Sequence, residues 1–352
     1  EAHPDLQDAV SKCCEMWWLK DLDGKEAIVA QTVPYLLIRT LGSGRVVDVK
    51  RCYAMRDVLP LMDYEDPSIE DLKRLLLRAA FAPAFLRSAQ GRRYLSFLFS
   101  LHHGLVKELA AIIRNQIPSG RQSVLVAYSE ILFRAWRDAV GPCLFELENS
   151  IQELVRACVL ASDPGLSASL RTALNGFHSQ KHVRGVDGLL LRLYEPILFR
   201  GLSAPNAAVR CNSLYLLGAA FPLQDAELSP NEVDSLLTNQ FEMIGNALDD
   251  LVPIVRKAAA TVTSQILNVW WELVPSNTTA QLLKRLAGLA FDGSSAMVRT
   301  ASVSGLCDLV DNAMAQPLLK MVLPTLADLI EDPSVKVRLC LVKLLIVVRS
   351  VR

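Results

Sequence analysis

DDLVPIVRKAA, residues 249–259, sets two acids and a proline ahead of a Val-Arg pair and then a run of small side chains. That order is the chemistry of a helix start. A carboxylate can accept hydrogen bonds from the free N–H groups of a first turn, and proline suits a first helical position, where no N–H is needed. The same order recurs as SAPNAAVRCNS (203–213), DGSSAMVRTAS (292–302) and EDPSVKVRLCL (331–341). The four arginines, Arg210, Arg256, Arg299 and Arg338, stand 46, 43 and 39 residues apart. That spacing is the period of HEAT units, each a pair of antiparallel helices. Asp250 and Asp332 are the expected caps, with Pro333 at the first helical position; Asp292 stands one residue further from its arginine, and Asn206 takes the place of an acid in the first unit. Beyond the arginine of 249–259, Val255, Ala259, Val262, Ile266 and Trp270 fall on one helical face.

Outward toward the N-terminus the period fades but the helical reading does not. Asp66-Pro67 opens SIEDLKRLLLRAAF, which Pro83 closes, and an apolar pattern from Tyr94 to Ile117 is expected to form one long helix ending at Pro118-Ser119-Gly120. Leu125, Tyr128, Leu132, Trp136 and Ala139 share a further face. No segment alternates as a strand does. The prediction is an all-α HEAT-repeat solenoid, mostly helix and without sheet. Degenerate helix pairs occupy residues 1–190, and regular repeats occupy 191–352 of one continuous array. The chain opens at Glu1 without a charged-then-apolar leader, and the apolar pattern still runs at Arg352, so further repeats and an unburied apolar end over 339–351 are expected.

Composition narrows the function classes. Apolar residues make up 51% of 352, which excludes intrinsic disorder. Lys plus Arg and Asp plus Glu are 37 each, which excludes a wholly basic coat for nucleic acid. The balance is local as well as global: Arg87 to Val140 carries eight basic residues against Glu108, Glu130 and Asp138, while Asp225 to Asp250 carries seven acids and no Lys or Arg. Eight cysteines without a C-x-x-C pair suit a reducing compartment. No apolar run reaches the ~18 residues of a membrane helix, so no membrane partner is expected.

Few residues offer chemistry. His178 and His182 are four apart, but Ser179 stands where a zinc protease needs Glu, and no third ligand is in sight. LGSGRVV around Gly42 and Gly44 lacks the third glycine of a dinucleotide loop and reads as a turn. No catalytic group, metal site or cofactor is expected. The doubled tryptophans, Trp17-Trp18 and Trp270-Trp271, read as core anchors at helix ends, with a surface aromatic able to grip a peptide as the other reading. The basic zone is the strongest lead. On one helix throughout, Arg92, Ser96, Ser100, His103, Lys107 and Arg114 would lie within an arc of about 80°, able to track phosphates, and Arg121, Arg134 and Arg137 would extend the strip. The plain alternative is a solvated face, with Arg134 pairing with Glu130 and Asp138 and with Gly104 breaking the helix.

The strings EMWWLKDL, GRRYLSFLF, ILFRAWRDA, LLLRLYEPILFRGL and LAFDGSSAMVRTASV, spread in order over the whole chain, resemble the G-type HEAT subunit of condensin II. The resemblance implies a non-catalytic, hook-shaped array that binds the kleisin subunit. With that kleisin it would hold double-stranded DNA in a basic groove during mitotic chromosome condensation in the nucleus, meeting the SMC subunits only indirectly. It places Arg92 and Arg93 on the paired arginines of the family's GRR segment, Arg134 and Arg137 on its basic positions around FRAW, and Lys181 and Arg184 on a further basic segment. The competing reading is an importin or phosphatase scaffold that binds peptides or globular proteins without DNA.

Overall fold

In the computed structural model, residues 4–350 are described; Val351 and Arg352, at the expected apolar end, lie outside them. The chain is 78% helical, and no strand occurs among the described residues. The helices are α1 (Pro4–Leu19), α2 (Lys25–Ser43), α3 (Val46–Ala54), α4 (Glu70–Ala79), α5 (Pro83–Arg87), α6 (Ala89–Leu98), α7 (His103–Gln116), α8 (Gln122–Asp138), α9 (Gly141–Leu160) and α10 (Pro164–His178). They continue as α11 (Val186–Leu202), α12 (Ala207–Ala220), α13 (Pro230–Leu248), α14 (Pro253–Trp270), α15 (Ser276–Gly288), α16 (Ala296–Asp308), α17 (Gln316–Val322) and α18 (Val335–Ser350). Two compact units form, one from Glu1–Val155 with Ala168–Gln180, the other from Arg156–Ser167 with Lys181–Arg352.

In the second unit the Val-Arg helices α12, α14, α16 and α18 pack in succession against one another. This explains the small residues of the motif: Ala258, Ala259 and Ala260 are fully buried in α14, where a bulkier side chain would hold the neighbouring helix off. The face Val255, Ala259, Val262 and Ile266 is core as expected, and Trp270 is half-buried at its end.

The motif arginine turns out to be a clasp. Arg210 donates to the Asp250 carboxylate at 2.8 and 2.9 Å, Arg256 to Asp292 at 2.8 Å, and Arg299 to Asp332 at 2.7 and 3.0 Å. Each acid belongs to the turn of the next repeat. Motif arginines also donate to carbonyls of their own turn: Arg256 to Asp250 and Leu251, and Arg338, which has no acid partner among the described residues, to Asp332 and Pro333. The turns are thereby stitched one to the next, and at these three clasps each buried charge meets its opposite, as burial requires.

The caps differ from expectation in detail. Asn206 does cap α12 through Ala208 N–H at 2.8 Å. Asp250 and Asp332 instead hold the turn N–H groups of Val252 and Ser334, because their second oxygen is committed to the preceding repeat's arginine. Pro253 starts α14, whereas Pro333 lies in the turn before α18.

In the first unit, Leu125, Tyr128, Leu132 and Ala139 are buried, with Trp136 half-buried between Phe133 and Phe177. Gly44 ends α2 at φ 65° with its N–H on the Thr40 carbonyl, so LGSGRVV is a helix-ending turn. The expected single helix over 94–117 is two: α6 stops at Leu98, the Ser100 hydroxyl turns back onto the Phe97 carbonyl, and His102 caps a new helix through Gly104 N–H. Trp17 is 41% exposed and Trp18 lies under Lys25, so the N-terminal pair is not a core anchor.

The thiols divide by burial, and their reactivity should follow. Burial pushes Cys52 up to about 12 and raises Cys211, while Cys13 is exposed. Thiolate is the reactive form. Under native conditions a water-soluble maleimide is expected to modify Cys13 at once and Cys52, Cys158 and Cys211 only after denaturant is added. Equal native rates for Cys13 and Cys52, read by peptide mass spectrometry, would contradict the packing of α2 on α3.

Candidate nucleic-acid interface

The ten basic residues singled out in sequence do not form one strip. Arg92 is corrected first. Its Nε donates to Glu130 at 2.6 Å, and another nitrogen reaches the carbonyls of Leu86 and Arg87 at 3.1 and 3.3 Å. These acceptors stand six and five residues back, the pattern of Arg210, Arg256 and Arg338. Arg92 is therefore a fourth clasp arginine, and its charge is already answered within unit one. Arg134 shares the same acid, donating to Glu130 at 2.9 Å. The helix break at 99–102 separates Arg92 and buried Ser96 from His103 onward, so the arc of about 80° drawn over one helix does not exist.

Lys181 is also committed. Its ammonium donates to the Pro222 carbonyl and lies 4.0 Å from Asp187, with 15% of the side chain exposed. Burial lowers its pKa to about 8, against the opposing pull of Asp187. Such a lysine braces the turn ahead of α11 and is not offered to a ligand. Arg184, nearby in sequence, is exposed.

A cationic face survives on α7. His103, Lys107 and Arg114 are exposed and fall within about 40° around the helix axis at ~100° per residue. Arg121 follows, exposed, just before α8, and Arg93 is exposed on α6. Lys107 and Arg114 border a groove of about 310 Å³ whose other wall is α9, with Glu146 and Glu153. Arg114 approaches Glu153 at 3.6 Å, and both are half exposed. A pair so placed contributes little to stability and can exchange partners. These two carboxylates escaped the sequence reading, although their seven-residue spacing repeats that of Lys107 and Arg114 and marks facing helical stripes. Farther along, Arg137 is exposed and pairs with its neighbour Asp138 at 2.8 Å, and with Arg134 it borders a second groove of about 340 Å³.

The acidic zone is largely structural. Asp250 is a clasp acid, Glu232 closes a capping box with Ser229, and Asp249 meets Arg285 at 3.3 Å. His178 ends α10 and His182 lies beyond it, so the two do not share a helical face, and no group of metal ligands occurs among the described residues. No helix of the described residues is long and apolar enough to cross a membrane.

Comparisons with known proteins place this geometry in context. Residues 78–225 match the family model described as the condensin II non structural maintenance of chromosomes subunit. Condensin-2 complex subunit G2 of Mus musculus is 35% identical over 355 residues, covering 100% of this chain and 31% of that protein. The Homo sapiens protein of the same name is 36% identical over 356 residues, with the same coverage. The chain therefore spans about a third of the length of the curated relatives it matches. Among solved structures, a mutant of Kap121p overlays on 99% of this chain and 38% of its own with a TM-score of 0.51 at 13% identity, a likeness of helical-repeat fold alone.

Proposed function

Because this chain belongs to the condensin II non-SMC subunit family, we propose that it acts without catalysis as a nuclear, chromosome-bound scaffold. It holds the kleisin subunit and lays the cations of α7 and the start of α8 along the backbone of double-stranded DNA during mitotic condensation. The observation that carries the DNA contact is the exposed alignment of His103, Lys107 and Arg114 on one helical face, with Arg121 next in the chain. Phosphates take Arg114 from Glu153 at small cost, since that pair is solvated. Arg93, Arg137 and Arg184 are secondary candidates by exposure, and Arg134, half-buried and bonded to Glu130, is the weakest of the remaining candidates. Arg92 and Lys181 are excluded by their internal bonds.

The test replaces three exposed cations at α7 and the start of α8, none of which has a hydrogen bond among the described residues. Lys107→Glu, Arg114→Glu and Arg121→Glu together should leave the helical spectrum intact, since exposed substitutions seldom exceed about 0.5 kcal/mol each. DNA affinity should fall alike for every sequence, and the slope of log affinity against log salt should flatten by roughly 2.7, at about 0.9 per contact. A control pair, Lys284→Glu with Lys320→Glu, should change the slope little. Unchanged affinity and slope in the triple variant would reduce the face to a solvated one. Copurification with the kleisin should survive the triple variant, and failure of the unaltered chain to retain the kleisin would remove that half of the reading.

A further inference from the structure

A third opening lies in unit two, at the end of α14, and it has the opposite electrostatic character. It encloses about 740 Å³, within the ~300–1,000 Å³ usual for ligand sites, and is bounded by Trp270, Trp271, Glu272, Asp311, Asn312 and Met314. No Lys or Arg lines it. Glu272 and Asp311 make no ion pair among the described residues, and the Asp311 charge, together with burial as the larger cause, raises the pKa of neighbouring Asp308.

The Asn312 amide donates to the carbonyls of Leu267 and Asn268 at 3.4 Å each, which fixes the second wall against the C-terminal turn of α14. That turn is where a helix gathers partial negative charge. Trp270 is held by an edge-on contact with Phe221 at 6.4 Å, Trp271 is half exposed, and neither indole N–H has an acceptor among the described residues. A carboxylate pair, a helix C-terminus and two indole faces all favour one kind of guest.

We infer that this cavity docks a basic peptide segment, with a Lys or Arg side chain laid over the Trp271 ring and its charge answered by Glu272 and Asp311. An indole face attracts a cation held within about 6 Å, and two unpaired carboxylates beside it exclude phosphate and so a nucleic-acid backbone. A metal ion finds too few ligands there, since no group of three His, Cys, Asp or Glu occurs among the described residues. A peptide cation leaves its backbone free to bond the indole N–H groups. The doubled tryptophan thus serves as half anchor, half platform. The inference does not rest on the DNA reading and can fail separately from it.

The probe is a fluorescein-labelled peptide, Gly-Ser-Lys-Arg-Ser-Lys-Gly, titrated into the full chain by anisotropy, with a Gln-substituted peptide of equal length as comparison. The basic peptide should bind and the Gln peptide should be at least tenfold weaker. Trp271→Leu, which fills the volume without a π face, should weaken binding about tenfold, and Glu272→Gln with Asp311→Asn at least fivefold. Glu227→Gln with Asp234→Asn, in the acidic zone of residues 225–250 and away from the cavity lining, should leave affinity within twofold. Melting curves superimposable on the unaltered chain certify the variants. Equal binding of both peptides, or loss in the Glu227 and Asp234 variant as large as in the cavity variants, would overturn the site in favour of general acidity. Unchanged affinity in Trp271→Leu would overturn the aromatic platform.

Discussion

Arg256→Ala is expected to lower the free energy of unfolding by about 3 kcal/mol, because it breaks a largely buried ion pair from one side. Arg256 binds the Asp292 carboxylate at 2.8 Å and the Ser294 hydroxyl at 2.6 Å, and donates to the Asp250 and Leu251 carbonyls at 2.6 and 3.1 Å. Truncation strips the part-buried Asp250 carbonyl of its donor and leaves Asp292, whose side chain is 7% exposed, without its counter-charge. Breaking a buried pair from one side costs about 3–5 kcal/mol. The low end applies because Asp292 keeps the N–H groups of Ser294 and Ser295 at 2.9 Å each. Asp292→Asn keeps those acceptors and much of the shape, so it should cost less, about 1–2 kcal/mol.

Acid should act on the same clasps. Burial raises the carboxyl pKa values of Asp250 and Asp292, but hydrogen bonds and arginine charge outweigh it, and both lie below the ordinary 3.8. At Asp332 the Arg299 hydrogen bond is itself the largest cause, again downward. A depressed folded value means that the unfolded chain takes up the proton first as pH falls. The contribution is whole above about pH 4 and drains away below it, through the folded values. Urea unfolding at pH 7 and pH 3 measures this, and Arg256→Ala should show the shallower acid loss. A variant as stable as the unaltered chain at pH 7, with the same acid loss, would show that the clasp holds nothing.

Gly91→Ala is expected to cost about 3 kcal/mol, at the upper end for overpacking. A Cβ there would stand 2.1 Å from the Phe85 carbonyl oxygen and 2.5 Å from its Cα, so α6 must move off the backbone of α5. Backbone cannot turn aside as a flexible side chain can. Gly176, where a Cβ would meet the Ser129 carbonyl at 2.4 Å, sits under the same constraint between α10 and α8. The internal control is Gly42→Ala in α2, with nothing within 4 Å and an ordinary φ. It should raise stability, by about 0.5–1 kcal/mol, because alanine loses less backbone entropy in a helix. Opposite signs for the two substitutions, read by thermal and urea unfolding, isolate the close approach from helix propensity. A neutral or stabilising Gly91→Ala would remove the contact between α5 and α6.

Much of this architecture was written locally. The recurrence of Val-Arg near every 40 residues, the Pro and Gly breaks and the apolar faces name helix pairs and their boundaries, because helix periodicity and capping are properties of neighbouring residues. The all-α solenoid, the core face of α14 and the turn at Gly44 follow from them. The misread helix over 94–117 shows the limit: its apolar spacing carries on through Phe99 and Leu101, and the break falls where Ser100 bonds back to the Phe97 carbonyl and His102 caps α7, with no proline to mark it.

What an arginine does was decided in three dimensions. Arg92, Arg210, Arg256 and Arg299 each find an acid 33 to 40 residues away, while Lys107, nominated by the same charge count, faces solvent. Sequence counts charges and assigns them to faces, but a charge is available to a partner only if folding has not already matched it, and that match crosses from one repeat to the next. The cavity at Trp271 is of the same kind. Trp270-Trp271 and Glu272 adjoin in sequence, yet Asp311 and Asn312 reach them only because the end of α16 packs beside the end of α14, bringing together carboxylates and indoles that no local period relates.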